Sequence, residues 1–432
     1  MTDSLDAYLT AEAARITSAC TACGDCVRVC PVVGFGRARD VPPAEVAGGI
    51  LGLLRDGQDL PDAAYDWMTM CNGCTACIPV CPEKVDPRHM LMIAAHRASE
   101  RQSATPDLFK RMARAIKLMV AMQLIPEEFK RLFIPGRRRE AEVIFYTGCN
   151  ALRTPHLLFN TMYVLDALEI DYDVVGGPSA CCGVIAAKWE GRIADGERQT
   201  RSVMTRFAGT GRVLNWCPTC ELHLTDTLGG FTRPEMRFDH VTAFLAEHMA
   251  ERALSFPVAI PGRAVLHGHV GSPGITGAVE TLLRQIPGLE LIETVMESGY
   301  TCGGSGCSKT PELAAREHAD ALDRAEALGA DLLVTLFHGC HGIFVAGGRG
   351  RPFEVVNFTD LLARALGQTP HPDTVKELQK GSDLALLVDE VLPMLRANGL
   401  TVEGDWLMAH LPALFRSAEF KGGLEVLSTS RV

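Results

Sequence analysis

The spacing of the cysteines is the feature of this sequence that most restricts what the chain can fold into. Eight of the 16 cysteines form two groups of one pattern, with gaps of two, two and three residues and a proline after the last cysteine. Three closely spaced thiolates can bind one side of a 4Fe–4S cube, and the fourth cysteine of this pattern ligates the other cube. We therefore assign Cys20, Cys23, Cys26 and Cys81 to a first cubane cluster, and Cys71, Cys74, Cys77 and Cys30 to a second.

Zinc is the alternative occupant of such groups, because structural zinc sites also pair cysteines two residues apart. Zinc sites rarely carry three evenly spaced cysteines and a fourth before proline, and this chain has that pattern twice. The N-terminal residues lack a basic segment followed by an apolar one, so we expect no secretory signal. In the reducing cytosol, clustered cysteines bind metal or carry out redox chemistry rather than form disulfides. The sequence therefore predicts a cytoplasmic iron–sulfur protein.

Composition argues against several other classes of protein. The formal net charge is −10 and aromatic residues make up 6% of the chain, so the basic and stacking side chains of a nucleic-acid-binding protein are not expected. The chain has no apolar run of about 18 residues, so we expect no transmembrane span. With 432 residues, 47% of them hydrophobic, the chain should form two or three packed domains.

Five further cysteines form a second kind of group. Cys149 and Cys217 follow predicted strands, at the edge where open α/β sheets gather their ligands. Five thiolates are more than one cubane needs, and two of the five are adjacent in sequence, which indicates an unusual cluster geometry. The group consists of Cys149, Cys181, Cys182, Cys217 and Cys220.

The region 141–368 alternates short apolar runs with helical patterns, which predicts α/β units with largely parallel sheets. The predicted strands are 142–148, 212–217, 264–268, 331–337 and 354–358. An offset of 120 residues relates Cys182 to Cys302, Cys220 to Cys340, and Cys149 to His269. Three landmarks with one spacing predict two tandem copies of one unit.

This layout resembles the heterodisulfide reductase catalytic-subunit family, whose relatives include the iron–sulfur subunits of glycolate oxidase, anaerobic glycerol-3-phosphate dehydrogenase and an unusual succinate dehydrogenase. A two-cluster ferredoxin-like module followed by two cysteine-rich (CCG) repeats is typical of that family, and the resemblance covers roughly residues 15–365. It implies that the group of five cysteines holds a noncubane 4Fe–4S cluster.

The expected fold class is a multi-domain α+β protein, with a helical two-cluster ferredoxin-like module and two tandem α/β CCG repeats. The predicted domains are the two-cluster module at 1–98, a basic helical connector at 99–140, a first CCG domain at 141–250, a second CCG-like domain at 251–368 and a helical tail at 369–432.

The second repeat departs from the family pattern. The offset places His269, Thr301, Cys302, Phe337 and Cys340 at the five cysteine positions, so three thiolates are missing. Cys307 follows shortly after, and His267, His338 and His341 lie nearby in sequence. We expect a site built from His269, Cys302, Cys307 and Cys340, which could hold zinc, a modified cluster or nothing. The histidines could equally be ordinary core or surface residues.

The connector is basic in an otherwise acidic chain. From Arg97 to Arg139 it has eleven Lys and Arg against four Asp and Glu, and its pattern predicts a helix with Leu108, Met112, Ile116 and Met119 along one face. The charge indicates either a solvated helical face or a docking surface for an acidic subunit or an anionic membrane.

Two functions follow from these expectations. The first is an electron-transfer subunit of a cytoplasmic oxidoreductase complex, working with a flavoprotein partner and holding no flavin or NAD of its own. A quinone acceptor would place that complex at the inner membrane face. The second is a catalytic subunit, similar to a heterodisulfide or persulfide reductase, that acts on a disulfide, persulfide or thiol substrate at the noncubane cluster. A zinc-stapled scaffold is the non-redox alternative. No catalytic residue is identified, and the direction of electron flow cannot be read from the sequence.

Overall fold

The computed structural model describes residues 4–101, 108–133, 141–232, 235–299, 310–374, 376–377 and 384–416. Within them, a helical N-terminal part is followed by two four-stranded parallel sheets, each covered by helices. The coarse prediction of a helical module and two α/β units is therefore confirmed.

The N-terminal part is built from helices that enclose the first eight cysteines. Leu5, Leu9 and Ile16 recur at helical spacing on the first helix and pack with Ile50 and Trp67 in a core of their own. The cysteines lie in and around the short connections between the helices, where the chain turns tightly. The helices are α1 (Leu5–Ala19), α2 (Asp25–Arg28), α3 (Pro43–Asp56), α4 (Asp62–Met70) and α5 (Pro87–Arg101).

The connector forms two helices, α6 (Leu108–Ala121) and α7 (Pro126–Phe133). The predicted apolar face is confirmed, because Met112, Ile116 and Met119 are buried and Leu108 is half-buried. These residues belong to the same core as the two sheets, so the connector is packed against the α/β part of the chain.

The first sheet has the strand order β2-β1-β3-β4, with all neighbours parallel. Its strands are β1 (Val143–Gly148), β2 (Tyr172–Gly176), β3 (Arg212–Asn215) and β4 (Arg237–His240). The helices of this repeat are α8 (Pro155–Ala167), α9 (Ile193–Phe207), α10 (Pro218–Glu221), α11 (Gly229–Thr232) and α12 (Val241–Glu251). Two π-helical segments, Ile185–Trp189 and Leu222–Thr227, follow the cysteines of this repeat.

The second sheet repeats this order as β6-β5-β7-β8, again parallel throughout. Its strands are β5 (Gly262–His269), β6 (Leu289–Glu297), β7 (Leu332–Thr335) and β8 (Glu354–Asn357). The helices are α13 (Pro273–Arg284), α14 (Pro311–Ala327), α15 (His338–Gly347) and α16 (Phe358–Ala365). The same order in both sheets agrees with the duplication expected from the offset of 120 residues.

All five predicted strands are present, as β1, β3, β5, β7 and β8, but β2, β4 and β6 were not predicted from the sequence. These three strands lie at sheet edges, where side chains are partly exposed and the apolar run that marks a buried strand is interrupted. The tail contains the predicted helices, α17 (Leu384–Ala397) and α18 (Gly404–Arg416). None of the helices in the described ranges is both long enough and apolar enough to span a bilayer.

Candidate metal centres

The first predicted quartet lines one cavity. Cys20, Cys23, Cys26 and Cys81 share this cavity with apolar side chains that include Ala47, Val85 and Met90. Burial, followed by the neighbouring thiols of Cys20 and Cys23, raises the pKa of Cys26 to about 12. The structure thus brings Cys81 to the three cysteines of the first group, as the crossed pattern predicted.

The second predicted quartet meets in the same crossed fashion. Burial, together with the nearby thiols of Cys71 and Cys74 from the other group, raises the pKa of Cys30 to about 11. Burial also raises the pKa of Cys77, and the neighbouring thiols of Cys71 and Cys30 raise it further. Cys30 therefore lies among the cysteines of the second group rather than those of its own.

The second quartet adjoins the two sheet-containing repeats. Burial raises the pKa of Cys71, and the half-buried side chain of Lys188 lies close enough to that thiol to oppose part of the rise. Lys188 belongs to the π-helical segment that follows Cys182 and Gly183. On the other side, Asn72 Nδ2 donates a hydrogen bond of 3.0 Å to the Ser298 hydroxyl in the second repeat.

The five cysteines of the first repeat form one connected group of buried thiols. Hydrogen bonds join Cys149 to Cys181, Cys181 to Cys182, Cys182 to Cys220, and Cys220 to Cys217. The hydrogen bonds from Cys149 and Cys182 hold the pKa of Cys181 well below its ordinary value. The structure therefore gathers all five predicted residues at one place.

Backbone geometry positions this group. Cys149 directly follows β1 and Cys217 comes shortly after β3, which are adjacent central strands, so both cysteines reach the same sheet edge. Asn215 Nδ2 donates to the Cys217 carbonyl at 2.8 Å, and the Thr200 hydroxyl donates to the Cys182 carbonyl at 2.8 Å. These contacts hold the cysteine loops from both sides.

At the equivalent edge of the second sheet, histidine replaces cysteine. His267, His269 and Cys340 are buried, and their ligand atoms all lie within 4.8 Å of one another. His269 Nε2 lies 3.1 Å from Cys340 Sγ, and His267 Nε2 lies 2.9 Å from Glu297 Oε2. Burial by itself lowers the pKa of His267, but hydrogen bonds with Cys340 and Glu297 raise it to about 9.

Only part of the site predicted for the second repeat can be located. His269 and Cys340 meet as expected, whereas Thr301, Cys302 and Cys307 lie outside the described residues. Phe337 is buried and its ring centroid lies 5.1 Å from that of His269. His338 contacts the first repeat instead, with Nε2 3.2 Å from Asn150 Nδ2. Glu297 was not predicted as a site residue, because it lies on an edge strand that the sequence pattern does not mark.

Comparison with known protein families finds matches for the N-terminal helical part and for both sheet-containing repeats. Residues 16–85 match the 4Fe-4S dicluster domain, and residues 143–225 and 269–344 each match the Cysteine-rich (CCG) domain. The relatives include a subunit of the Dihydromethanophenazine:CoB--CoM heterodisulfide reductase of Methanosarcina mazei, 24% identical over 394 residues, which are 83% of this chain and 96% of the relative. A subunit of the fumarate reductase (CoM/CoB) of Methanothermobacter marburgensis is 22% identical over 339 residues, which are 74% of this chain and 66% of that protein. No solved structure matches the chain.

The fold and the cysteine groups thus define an iron–sulfur protein with a dicluster domain and a duplicated cysteine-rich domain. More particularly, over most of its length the chain is similar to proteins named as heterodisulfide reductase subunits.

The residues present fit iron–sulfur clusters. All cysteines of the three groups are free thiols, and each group contains at least the four that a 4Fe–4S cluster needs. Buried thiols with a raised pKa, such as Cys26, would lose their protons when a metal bound them, so a cluster held here would release protons on binding and stabilise the fold.

Proposed function

We propose that this chain is the electron-transferring iron–sulfur subunit of a cytoplasmic oxidoreductase complex. The observation that carries the proposal is the order of the three thiol groups within one chain. Cys81 from the second sequence group completes the first quartet, and Cys30 from the first sequence group completes the second. The second quartet lies beside Lys188 of the repeat that holds the group of five. Three adjoining redox sites suit the passage of electrons better than any isolated site would.

The proposed cluster ligands are the cysteines of the two quartets and of the group of five. The first quartet and the second quartet each hold a cubane 4Fe–4S cluster, and the group of five holds a noncubane one. When bound, such clusters accept and pass on single electrons at potentials that burial and hydrogen bonds adjust. The chain contributes the thiols, buries the group of five, and orients Cys182 through its carbonyl contact with Thr200.

At the second repeat we propose a metal held by His267, His269 and Cys340. Two imidazoles and one thiolate match the ligands that zinc prefers, and Glu297 orients His267 from behind. A modified cluster is the alternative occupant.

The division into five domains, from the two-cluster module at 1–98 to the tail at 369–432, is part of the proposal. So are its partners, which are a flavoprotein or other redox subunits and an acceptor such as a quinone at the inner membrane face. The relatives are named as subunits of reductases, which supports an assembly of several chains.

Metal and sulfide analysis of the anaerobically purified full-length protein tests the cluster count. We expect about 12 irons per chain, four for each cluster. Cys182→Ser should lower this to about 8, whereas Cys340→Ser, a buried cysteine outside the three groups, should leave it unchanged. A colourless protein with zinc in place of iron would refute the proposal.

A second function is favoured by the intact group of five thiols and by the relatives named as heterodisulfide reductase subunits. In this alternative the chain is itself a catalytic subunit that reduces a disulfide or persulfide. Three of the five positions equivalent to the cysteines are His269, Thr301 and Phe337, so the second repeat does not supply the same thiol set. Single-turnover reduction of a small disulfide by the reduced protein separates the two functions, because only the catalytic subunit consumes the substrate.

A further inference from the structure

A second cluster of side chains that could bind a metal contains none of the cysteines of the three groups. His156, His341 and Asp373 each offer one ligand atom, and these atoms lie within 4.8 Å of one another. His156 lies at the start of α8 in the first repeat, and His341 lies in the first turn of α15 in the second. Asp373 follows α16. Three segments that are distant in sequence therefore converge on one point.

The histidine from the first repeat lacks a hydrogen-bond partner. The side chain of His156 is 1% exposed, and neither of its ring nitrogens forms a hydrogen bond within the described part of the chain. Its Nε2 points toward Asp373, at 3.6 Å from Oδ1. A buried imidazole with both nitrogens unpaired is costly unless a further group occupies the space in front of it.

The histidine from the second repeat is oriented as metal ligands usually are. The His341 Nδ1 atom lies 3.1 Å from the Thr335 hydroxyl, and that hydroxyl can accept from it while donating to the Val356 carbonyl at 3.3 Å. In this tautomer the lone pair of His341 Nε2 faces Asp373 Oδ2 at 2.7 Å. Two acceptors cannot face each other at that distance without a cation or a proton between them, and a hydrogen-bond partner on the far nitrogen is typical of ligating histidines.

The spacing of His156 and Asp373 suits a small divalent cation, whereas the 2.7 Å between His341 Nε2 and Asp373 Oδ2 is a hydrogen-bond length that would increase when the ion binds. Two donors bound about 2.05 Å from a tetrahedral ion lie about 3.3 Å apart, which is close to the observed 3.6 Å between His156 and Asp373. Asp360 is a second buried carboxylate near His341, which adds to the negative charge around the site. Lys376 also lies close enough to affect the pKa of His156, and its Nζ is engaged by Glu354 at 2.7 Å.

We propose that His156, His341 and Asp373 bind a zinc ion that joins the two cysteine-rich repeats and the segment after α16. Two histidines and one carboxylate are a ligand set that zinc uses, with water as the fourth ligand. The site shares no residue with the proposed iron–sulfur centres or with the His267, His269 and Cys340 cluster. Zinc content reports on this site and iron content on the clusters, so the two proposals can fail separately.

The test measures zinc and its coordination in the anaerobically purified full-length protein. All variants carry His269→Ala, which removes a ligand from the other candidate zinc cluster. We expect about one zinc per chain, with nitrogen and oxygen neighbours at about 2.0–2.1 Å and no sulfur at about 2.3 Å in X-ray absorption spectra. Adding His156→Gln should abolish this zinc. Adding His371→Gln should leave the zinc in place. His371 is a partly buried histidine on the same segment as Asp373, and its ring contacts Glu128.

A milder variant guards against loss of folding. Thr335→Val keeps all three ligands but removes the hydroxyl behind His341, and it should weaken zinc binding by about 10- to 100-fold in competition with a chelator. Iron content and far-ultraviolet circular dichroism confirm that each variant is folded. The proposal is wrong if the His269→Ala protein holds no zinc, if its zinc has a sulfur neighbour, or if folded His156→Gln protein retains the zinc.

Discussion

Gly183, the residue directly after the paired cysteines, provides a sharp test of how the group of five is held. Its φ of +93° lies in the region that L-residues avoid, and a Cβ added there would lie 2.5 Å from the Gly196 carbonyl oxygen of α9. The same Cβ would lie 2.6 Å from the Thr200 hydroxyl, which is itself held by its hydrogen bond to the Cys182 carbonyl. Gly183→Ala must therefore push α9 away from the cysteine loop.

The cost has two parts. The backbone conformation costs an L-residue about 1–2 kcal/mol. The contact with a backbone carbonyl cannot be relieved by a side-chain rotation, and such overpacking costs about 1–3 kcal/mol more. Together they amount to about 2–5 kcal/mol, a large share of the roughly 5–15 kcal/mol by which proteins are usually stable.

Gly209→Ala is the matched control. Gly209 also has a left-handed φ, +78°, but a Cβ there would meet no atom within 4 Å. It should therefore show only the conformational cost of about 1–2 kcal/mol. The assay compares the free energies of unfolding from denaturant titrations together with the iron content.

We expect Gly183→Ala to lose stability beyond the control and to lose about four irons, because displacement of Cys182 disturbs one cluster. Gly209→Ala should keep its full iron content. Equal stability and equal iron content in the two variants would show that the close approach of α9 to the cysteine loop is not what requires glycine here.

Three further predictions address the quartets, the buried histidines and the helix caps. Cys81→Ser should alter the same cluster signal in electron paramagnetic resonance spectra as Cys23→Ser, and Cys30→Ser should alter the other; a match between Cys30 and Cys23 would contradict the crossed assignment. Burial lowers the pKa of His96 from 6.5 to about 4. The unfolded chain then binds the proton more tightly than the folded chain does. The contribution of His96 to the free energy of unfolding is therefore fully present above about pH 6.5 and falls by about 3 kcal/mol as the pH drops toward about 4. His96→Phe should remove this part of the pH dependence of unfolding, and an unchanged dependence would count against it. Asn357 caps α16 and is fully buried, so Asn357→Ala should cost about 2–4 kcal/mol in denaturant titrations, a prediction that a loss under about 0.5 kcal/mol would overturn.

Local cysteine spacing and apolar runs are enough to predict part of this structure. The crossed quartets could be predicted because three cysteines two residues apart leave few ways to surround a cluster. The central strands β1, β3, β5 and β7 could be predicted because strands buried on both faces are continuously apolar. The offset of 120 residues predicted the duplication that is seen in the matching strand order of the two sheets.

Contacts between side chains that are distant in sequence could not be predicted and become visible in the folded chain. Lys188 lies beside Cys71 because the segment after the paired cysteines packs on the N-terminal module, and no local pattern in the sequence marks that contact. His156 and Asp373 come together because α8 packs against α16 across the two repeats. Such pairs depend on how whole helices and sheets fill a common core, and the information that brings them together is spread over every residue of that core.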